Sequence, residues 1–163
     1  MSMNTDRNLE IFIEQMVEAV HQENICPYAK NVLEQKKIDI VKVEDATLYD
    51  FWTEVNKQCD NWNNNFDMIV VAMYTDIEQI NEVQLQGGVD SLNCSLNVRN
   101  KPLWLLEGLG DPYTTVMIQD IRKLDDASKL FDQENYYQNY HPYRYWKTVE
   151  SRRVLRERLT DPE

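Results

Sequence analysis

Cysteine and histidine are the side chains best suited to covalent or metal chemistry near neutral pH, and this chain of 163 residues has three of the first and two of the second. Cys26 has the most informative neighbourhood. Pro27 suits the first position of a helix, which predicts Cys26 at its N-cap. A thiol there meets free backbone N–H groups and the positive end of the helix dipole, and both favour the nucleophilic thiolate. Lys30, one turn along, would add a positive charge. The competing reading is a small apolar side chain wedged beside Ile25, because free cysteine is among the most buried residue types. Cys59 falls on the apolar side of an amphipathic stretch and reads as core, while Cys94 lies in a polar stretch. Metal binding has little to build on: His21 and Cys26 stand on either side of a helix break, and neither Cys-x-x-Cys nor His-x-x-x-His spacing occurs. Gly87-Gly88 lacks the Lys-Ser/Thr pair of a phosphate loop, and no Gly-x-Ser-x-Gly elbow is present. No metal and no cofactor are expected.

A second group of interest is the run Tyr136, Tyr137, Tyr140, His141, Pro142, Tyr143, Arg144, Tyr145, Trp146. Tyrosine, tryptophan and arginine are the residues that anchor interfaces, so Tyr140, His141, Tyr143 and Arg144 could line a ligand pocket or a partner patch. The same rings could instead seal the edge of a sheet.

Charge narrows the partners. There are 28 acidic against 17 basic side chains, a formal net charge of −11. Such a chain repels a phosphate backbone, so nucleic acid is not expected, whereas a basic protein partner or a small polar or anionic ligand is. Residues 144–163 run against the trend, with six basic side chains and four acidic ones, and read as a basic helical appendage to a single domain spanning 1–163. The cysteine spacing fits no disulfide framework, the start Met1 to Asn8 is polar, and no apolar run reaches the length of a membrane span, so a cytoplasmic protein is expected.

The elements that must position these groups follow from periodicity. Leu9, Phe12, Ile13, Met16, Val17 and Val20 make one helical stripe, capped by Thr5 or Asp6 and ending near Asn24. A short helix follows, ending near Gln35. Ile38 to Val43 reads as a strand. Thr47 and Asp50 form a capping box for a helix whose apolar side carries Leu48, Phe51, Trp52, Val55, Cys59 and Trp62, with Trp52 expected between helix and sheet. The continuous run Met68 to Tyr74 reads as a central strand covered on both faces. A helical region over 76–98, interrupted at Gly87-Gly88, leads to strands at Leu103–Leu106 and Thr115–Ile121 around a turn through Gly108-Leu109-Gly110-Asp111-Pro112. A short helix at Asp125–Phe131 and a basic helix over 147–159 complete the chain. The expected fold is α/β of the α+β kind: a single four-stranded sheet covered by helices, of an order compatible with a ferredoxin-like arrangement, with extra helices at both ends.

Two resemblances add to this reading. Cys26-Pro27-Tyr28 with Lys30, Val32 and Leu33, followed by Ile38 to Val43, is similar to the active-site stretch of glutaredoxins, and Gly87-Gly88-Val89-Asp90 is similar to their glutathione-binding turn. Ala29 stands where a dithiol would need its second cysteine, and Asn65-Phe66-Asp67 stands where that family has a cis-proline. More of the chain resembles a bacterial family of unassigned activity, in which a helix runs into Cys-Pro-Phe-Ala-Lys/Arg and a Ser-Pro-Tyr-Pro-like segment precedes the final helix. Cys26-Pro27-Tyr28-Ala29-Lys30 matches the first motif and Asn139-Tyr140-His141-Pro142-Tyr143 loosely matches the last. Gly110-Asp111-Pro112-Tyr113 stands where that family has His-Pro-Asp-Tyr. This resemblance implies an architecture and a site drawing on Cys26, Tyr113 and His141, but no reaction. The functional expectation is therefore a small binding or accessory protein acting through an acidic surface and an aromatic loop. The alternative is a thiol-dependent enzyme using Cys26 on a small thiol or electrophile.

Overall fold

The computed structural model describes residues 3–22, 29–44, 47–63, 65–74, 81–109, 113–133 and 136–159. Helix α1 (Met3–Gln22) and the short α2 (Ala29–Glu34) precede strand β1 (Ile38–Val43). Then come α3 (Leu48–Asp60), β2 (Met68–Tyr74), α4 (Glu82–Val98), β3 (Leu103–Leu109), β4 (Tyr113–Asp120) and α5 (Ile121–Gln133). The chain closes with α6 (Pro142–Tyr145), a π-helical turn (Trp146–Glu150) and α7 (Ser151–Glu157). Helix α1 starts ahead of Thr5 and Asp6, so neither is its N-cap. The expected capping box on α3 is present: the Thr47 hydroxyl accepts from the Asp50 N–H, and the Asp50 carboxylate accepts from the Thr47 N–H.

The four strands form one sheet in the order β1-β2-β4-β3. β1 and β2 are parallel, with Ile38 opposite Met68, while β4 runs antiparallel to both β2 and β3. This order is not ferredoxin-like. In that arrangement a strand separates the two strands joined by a helical crossover. Here α3 returns the chain so that β2 lies directly beside β1, and the β3–β4 hairpin joins through β4.

The period of two along each strand divides the core between two faces. Ile69, Val71 and Met73 of β2 with Val116 and Ile118 of β4 face α3 and α4, where Phe51, Val55, Leu85, Val89 and Leu96 cover them. Met68, Val70 and Ala72 with Tyr113 and Met117 face α1, α2 and α5, where Leu9, Ile13, Val17, Val32 and Leu124 cover them. β4 is buried at every position. That burial makes its polar ends informative: the Asp120 carboxylate accepts from the Arg122 N–H at 2.8 Å and caps α5 where it leaves the sheet.

The edge strand β3 is protected by a side chain. Asn93 of α4 is buried, accepts the Leu105 N–H at 2.7 Å and donates to the Leu105 carbonyl at 3.1 Å. Its amide thus takes the place of a neighbouring strand at that residue. Helix α4 also runs unbroken through Gly87 and Gly88, against the expected interruption. The two glycines differ in their place in the packing of α3 on α4. Trp52 is half-buried on the flank of α3 instead of lying under it, and the fully buried ring of α3 is Phe51. A Cβ at Gly88 would lie 2.7 Å from the Trp52 ring, while one at Gly87 would meet nothing within 4 Å.

Two adjacent substitutions should therefore have opposite effects. Gly87→Ala should stabilise by about 0.5–1 kcal/mol through helix propensity. Gly88→Ala should destabilise by about 1–3 kcal/mol through overpacking, and adding Trp52→Ala should remove most of that penalty. Phe51→Ala should cost about 3–5 kcal/mol. Urea titrations of the single and double variants measure each value, and additivity of Gly88→Ala with Trp52→Ala would contradict the contact.

Candidate functional site

Cys26 and its neighbours 23–28 lie outside the described residues, as do 110–112. Lys30 lies in the first turn of α2. Gly87-Gly88-Val89-Asp90 is the middle of α4, so the turn that resembles a glutathione-binding element is helical here. The other two cysteines are described. Cys59 is buried on α3, and burial first, then the neighbouring Asp60 carboxylate, pushes its thiol up to about 12. Such a thiol is inert as a nucleophile at neutral pH. Cys94 is exposed. Among the described residues, no group of three or more His, Cys, Asp or Glu side chains is disposed to hold a metal ion. No helix of the described residues is long and apolar enough to cross a membrane.

The aromatic segment is built inward from α5. The Ser128 hydroxyl and the Tyr137 hydroxyl are 2.9 Å apart and buried. The Tyr137 ring then contacts Tyr136, Tyr140 and Tyr145 edge-on, at centroid distances of 4.9, 5.0 and 5.7 Å, and Tyr136 lies against Phe131. Edge-to-face rings of this kind hold one another in fixed orientations. Tyr145 donates to the Asp132 carboxylate and accepts from Arg153 at 3.1 Å. Burial and the Asp132 hydrogen bond raise the Tyr145 phenol above its ordinary value, against the opposing influence of Arg153. Four of the six rings are thus packed inside the segment, on α5 and on one another. Tyr140 belongs to this stack, and His141 is structural as well: its Nδ1 accepts the Tyr143 N–H and caps α6, with Pro142 at the helix start. Tyr143 and Trp146 remain outside, 65% and 54% exposed, with ring centroids 6.1 Å apart. The Arg144 backbone is in α6.

Tyr113 belongs elsewhere. It is the first residue of β4, buried against Phe12 of α1 at 5.1 Å and Tyr74 of β2 at 5.3 Å. Burial, aided by Tyr74, raises its phenol above the ordinary value. Tyr113 and Tyr140 thus sit in two different ring clusters.

The structure adds a feature that residue types alone did not mark. A groove of about 1180 Å³ runs between α1, α2 and the edge strand β1. Leu9, Leu33, Ile38 and Ile40 supply its apolar surfaces. Glu10, Glu14, Asp39 and Glu44 line it with negative charge, against Lys36 and Lys42. Arg7 braces the α1 carboxylates, at 3.1 Å from Glu10 and 3.8 Å from Glu14. The one sequence signal for this groove is Ile38-Asp39-Ile40-Val41-Lys42, an alternating strand whose residues are all half-buried. In comparisons with known proteins, no family model, no curated protein and no solved structure matches the chain.

Two measurements follow. Glu107 on β3 has its carboxyl raised above its ordinary 4.5, first by burial, with Asp90 and Glu82 adding and its own backbone N–H and Lys147 opposing. The folded chain then holds that proton more tightly than the unfolded chain. Its contribution to stability is fully present below pH 4.5 and is lost as pH rises through the folded value. Glu107→Gln should be more stable than wild type at pH 7, and thermal melts at several pH values should show the gap closing below pH 4.5. The second measurement isolates Cys26. In a Cys94→Ser variant, Cys59 stays silent until unfolding, so native-state alkylation reports Cys26 alone. A structural Cys26 should resist alkylation until the chain unfolds. Labelling with a midpoint well below pH 8.5 would identify the reactive thiolate of a thiol enzyme.

Proposed function

We propose that this protein is a small binding or accessory protein that receives a basic, extended segment of a partner in the groove beside β1. One observation carries the reading: the edge strand faces a groove with apolar surfaces and an excess of carboxylates. Among the described residues no strand pairs with the outer side of β1, so its backbone is available for strand addition. Strand addition draws affinity from main-chain hydrogen bonds and specificity from alternate side chains. Here the apolar side chains of the guest would meet Leu9, Leu33, Ile38 and Ile40, and its lysines or arginines would meet Glu10, Glu14 and Glu44. The net charge of −11 would speed encounter with such a partner. The inward packing of the 136–146 segment shifts the leading role from the aromatic loop to the acidic surface.

The probe is a fluorescent peptide of alternating lysine and valine. It should bind the full chain, and raising the salt should weaken it. Glu10→Lys combined with Glu14→Lys should lower affinity by about tenfold through loss of complementary charge, with the melting temperature little changed because both side chains are half exposed or more. Equal binding by the double variant, or by a peptide of alternating glutamate and valine, would refute the reading.

A further inference from the structure

Helix α7 carries three arginines, Arg152, Arg153 and Arg156, and two of them reach carboxylates of α5. Arg153 reaches Asp125 at 3.3 Å and Asp132 at 3.4 Å. Arg156 reaches Asp125 at 2.9 Å and also pairs with Asp126. Asp125, 1% exposed, is taken up by these two arginines and by Lys129 at 3.4 Å. Arg152 is different. It is 2% exposed and is the largest fully buried side chain among the described residues, yet its Nε and Nη2 are closed to solvent with no acceptor.

An arginine cannot escape such a position by losing its proton, as a buried lysine can. Buried charges in proteins are paired or hold a ligand, because an uncompensated ion in a low-dielectric interior is strongly unfavourable. Nor is the burial an accident of a loosely placed helix. Val149 is wholly buried one turn earlier, and Asn97 of α4 donates to the Leu155 carbonyl at 2.6 Å. Arg153 and Arg156 tie the same helix to α5. The helix is thus held from two sides in a position that keeps Arg152 inside. The two orphaned donors are those of the side-on edge of the guanidinium, the edge that grips both oxygens of a carboxylate or two oxygens of a phosphate. The π-helical turn Trp146–Glu150 leads directly into this helix, and such turns recur at functional sites.

From these observations we infer that Arg152 is the receptor for a small oxyanion, bound side-on by Nε and Nη2 beneath the C-terminal helix. Because both donors are shut off from solvent, the anion reaches them only when that helix moves away from α5. The site is separate from the β1 groove, none of whose lining residues belongs to α7.

The test uses the full chain, dialysed into chloride at fixed pH and constant ionic strength. Thermal unfolding is followed against increasing sodium phosphate and, separately, sodium acetate. At least one anion should raise the midpoint saturably, by roughly 3 °C or more. A response to phosphate alone assigns a phosphoryl ligand, a response to acetate alone assigns a carboxylate, and a response to both assigns any small oxyanion. Arg152→Met should fold in chloride with a midpoint equal to or above wild type, since it replaces an unpaired buried charge by an apolar chain of similar length. It should also lose the response. Arg152→Lys keeps the charge, lacks the fork and should lose most of the response. The inference is overturned if neither anion shifts wild type, or if Arg152→Met responds as wild type does. It is equally overturned if Arg152→Met fails to fold in chloride, which would mean that Arg152 is already paired inside the chain.

Discussion

The structure depends on the antiparallel pair β2–β4 at the centre of the sheet. Met68 to Met73 and the whole of β4 are buried, so both faces of this pair must be covered at once. A two-faced apolar pair cannot exist at the surface, and the helices divide accordingly, α3 and α4 on one side and α1, α2 and α5 on the other. The remaining strands become edges, and the two edges are treated differently. β3 is shielded by the buried Asn93 amide at Leu105. β1 is left beside a groove. An edge strand left open is a template for another chain, which is why the asymmetry bears on function.

The C-terminal end is organised by charge instead of apolar area. Asp125 would be untenable in the interior as a lone carboxylate, and Arg153, Arg156 and Lys129 converge on it. That convergence docks α7, fixes Tyr145 through Arg153 and Asp132, and so orders the tyrosine stack above α5. The same docking consumes the α5 carboxylates and leaves Arg152 without one. A basic segment on an acidic body would be expected to pair promiscuously at the surface, where exposed pairs contribute little. Here the pairs that matter are the enclosed ones, and the segment is an integral layer of the fold.

Much of the fold was legible in local pattern. The bounds of β1 and β2 match the stretches Ile38–Val43 and Met68–Tyr74, the first a half-buried edge strand that mixes apolar and charged residues, the second apolar throughout because both of its faces are covered. The Thr47–Asp50 capping box and the burial of Cys59 followed from spacing within a single helix. Local pattern misled where the deciding contact lay elsewhere. Gly87-Gly88 signals a break in isolation, yet α4 continues through it, and Gly88 marks the place where the Trp52 ring of α3 leaves no room for a Cβ. Trp52 itself sits on the flank because Phe51, one residue before it, already occupies the face beneath α3. The short helix expected at Asp125–Phe131 begins four residues earlier, since Asp120 caps it directly from the end of β4.

By itself, then, the sequence determined the four strands and the longer helices, the two-faced character of β2 and the acidic character of the molecule, all properties of residues close in the chain or of their sum. Tertiary structure alone decided the strand order β1-β2-β4-β3, the groove between α1, α2 and β1, and the fates of the candidate side chains. Tyr113 and Tyr140, alike as aromatic residues in a list, ended in separate clusters. Arg152, Arg153 and Arg156 are equivalent as positive charges on one short helix. The side of the helix that each occupies, and the finite supply of carboxylates on α5, divided them into two that are paired and one that is not. Charge and periodicity are additive along a chain, whereas partnership is a matter of distance and competition in three dimensions, and only the fold resolves it.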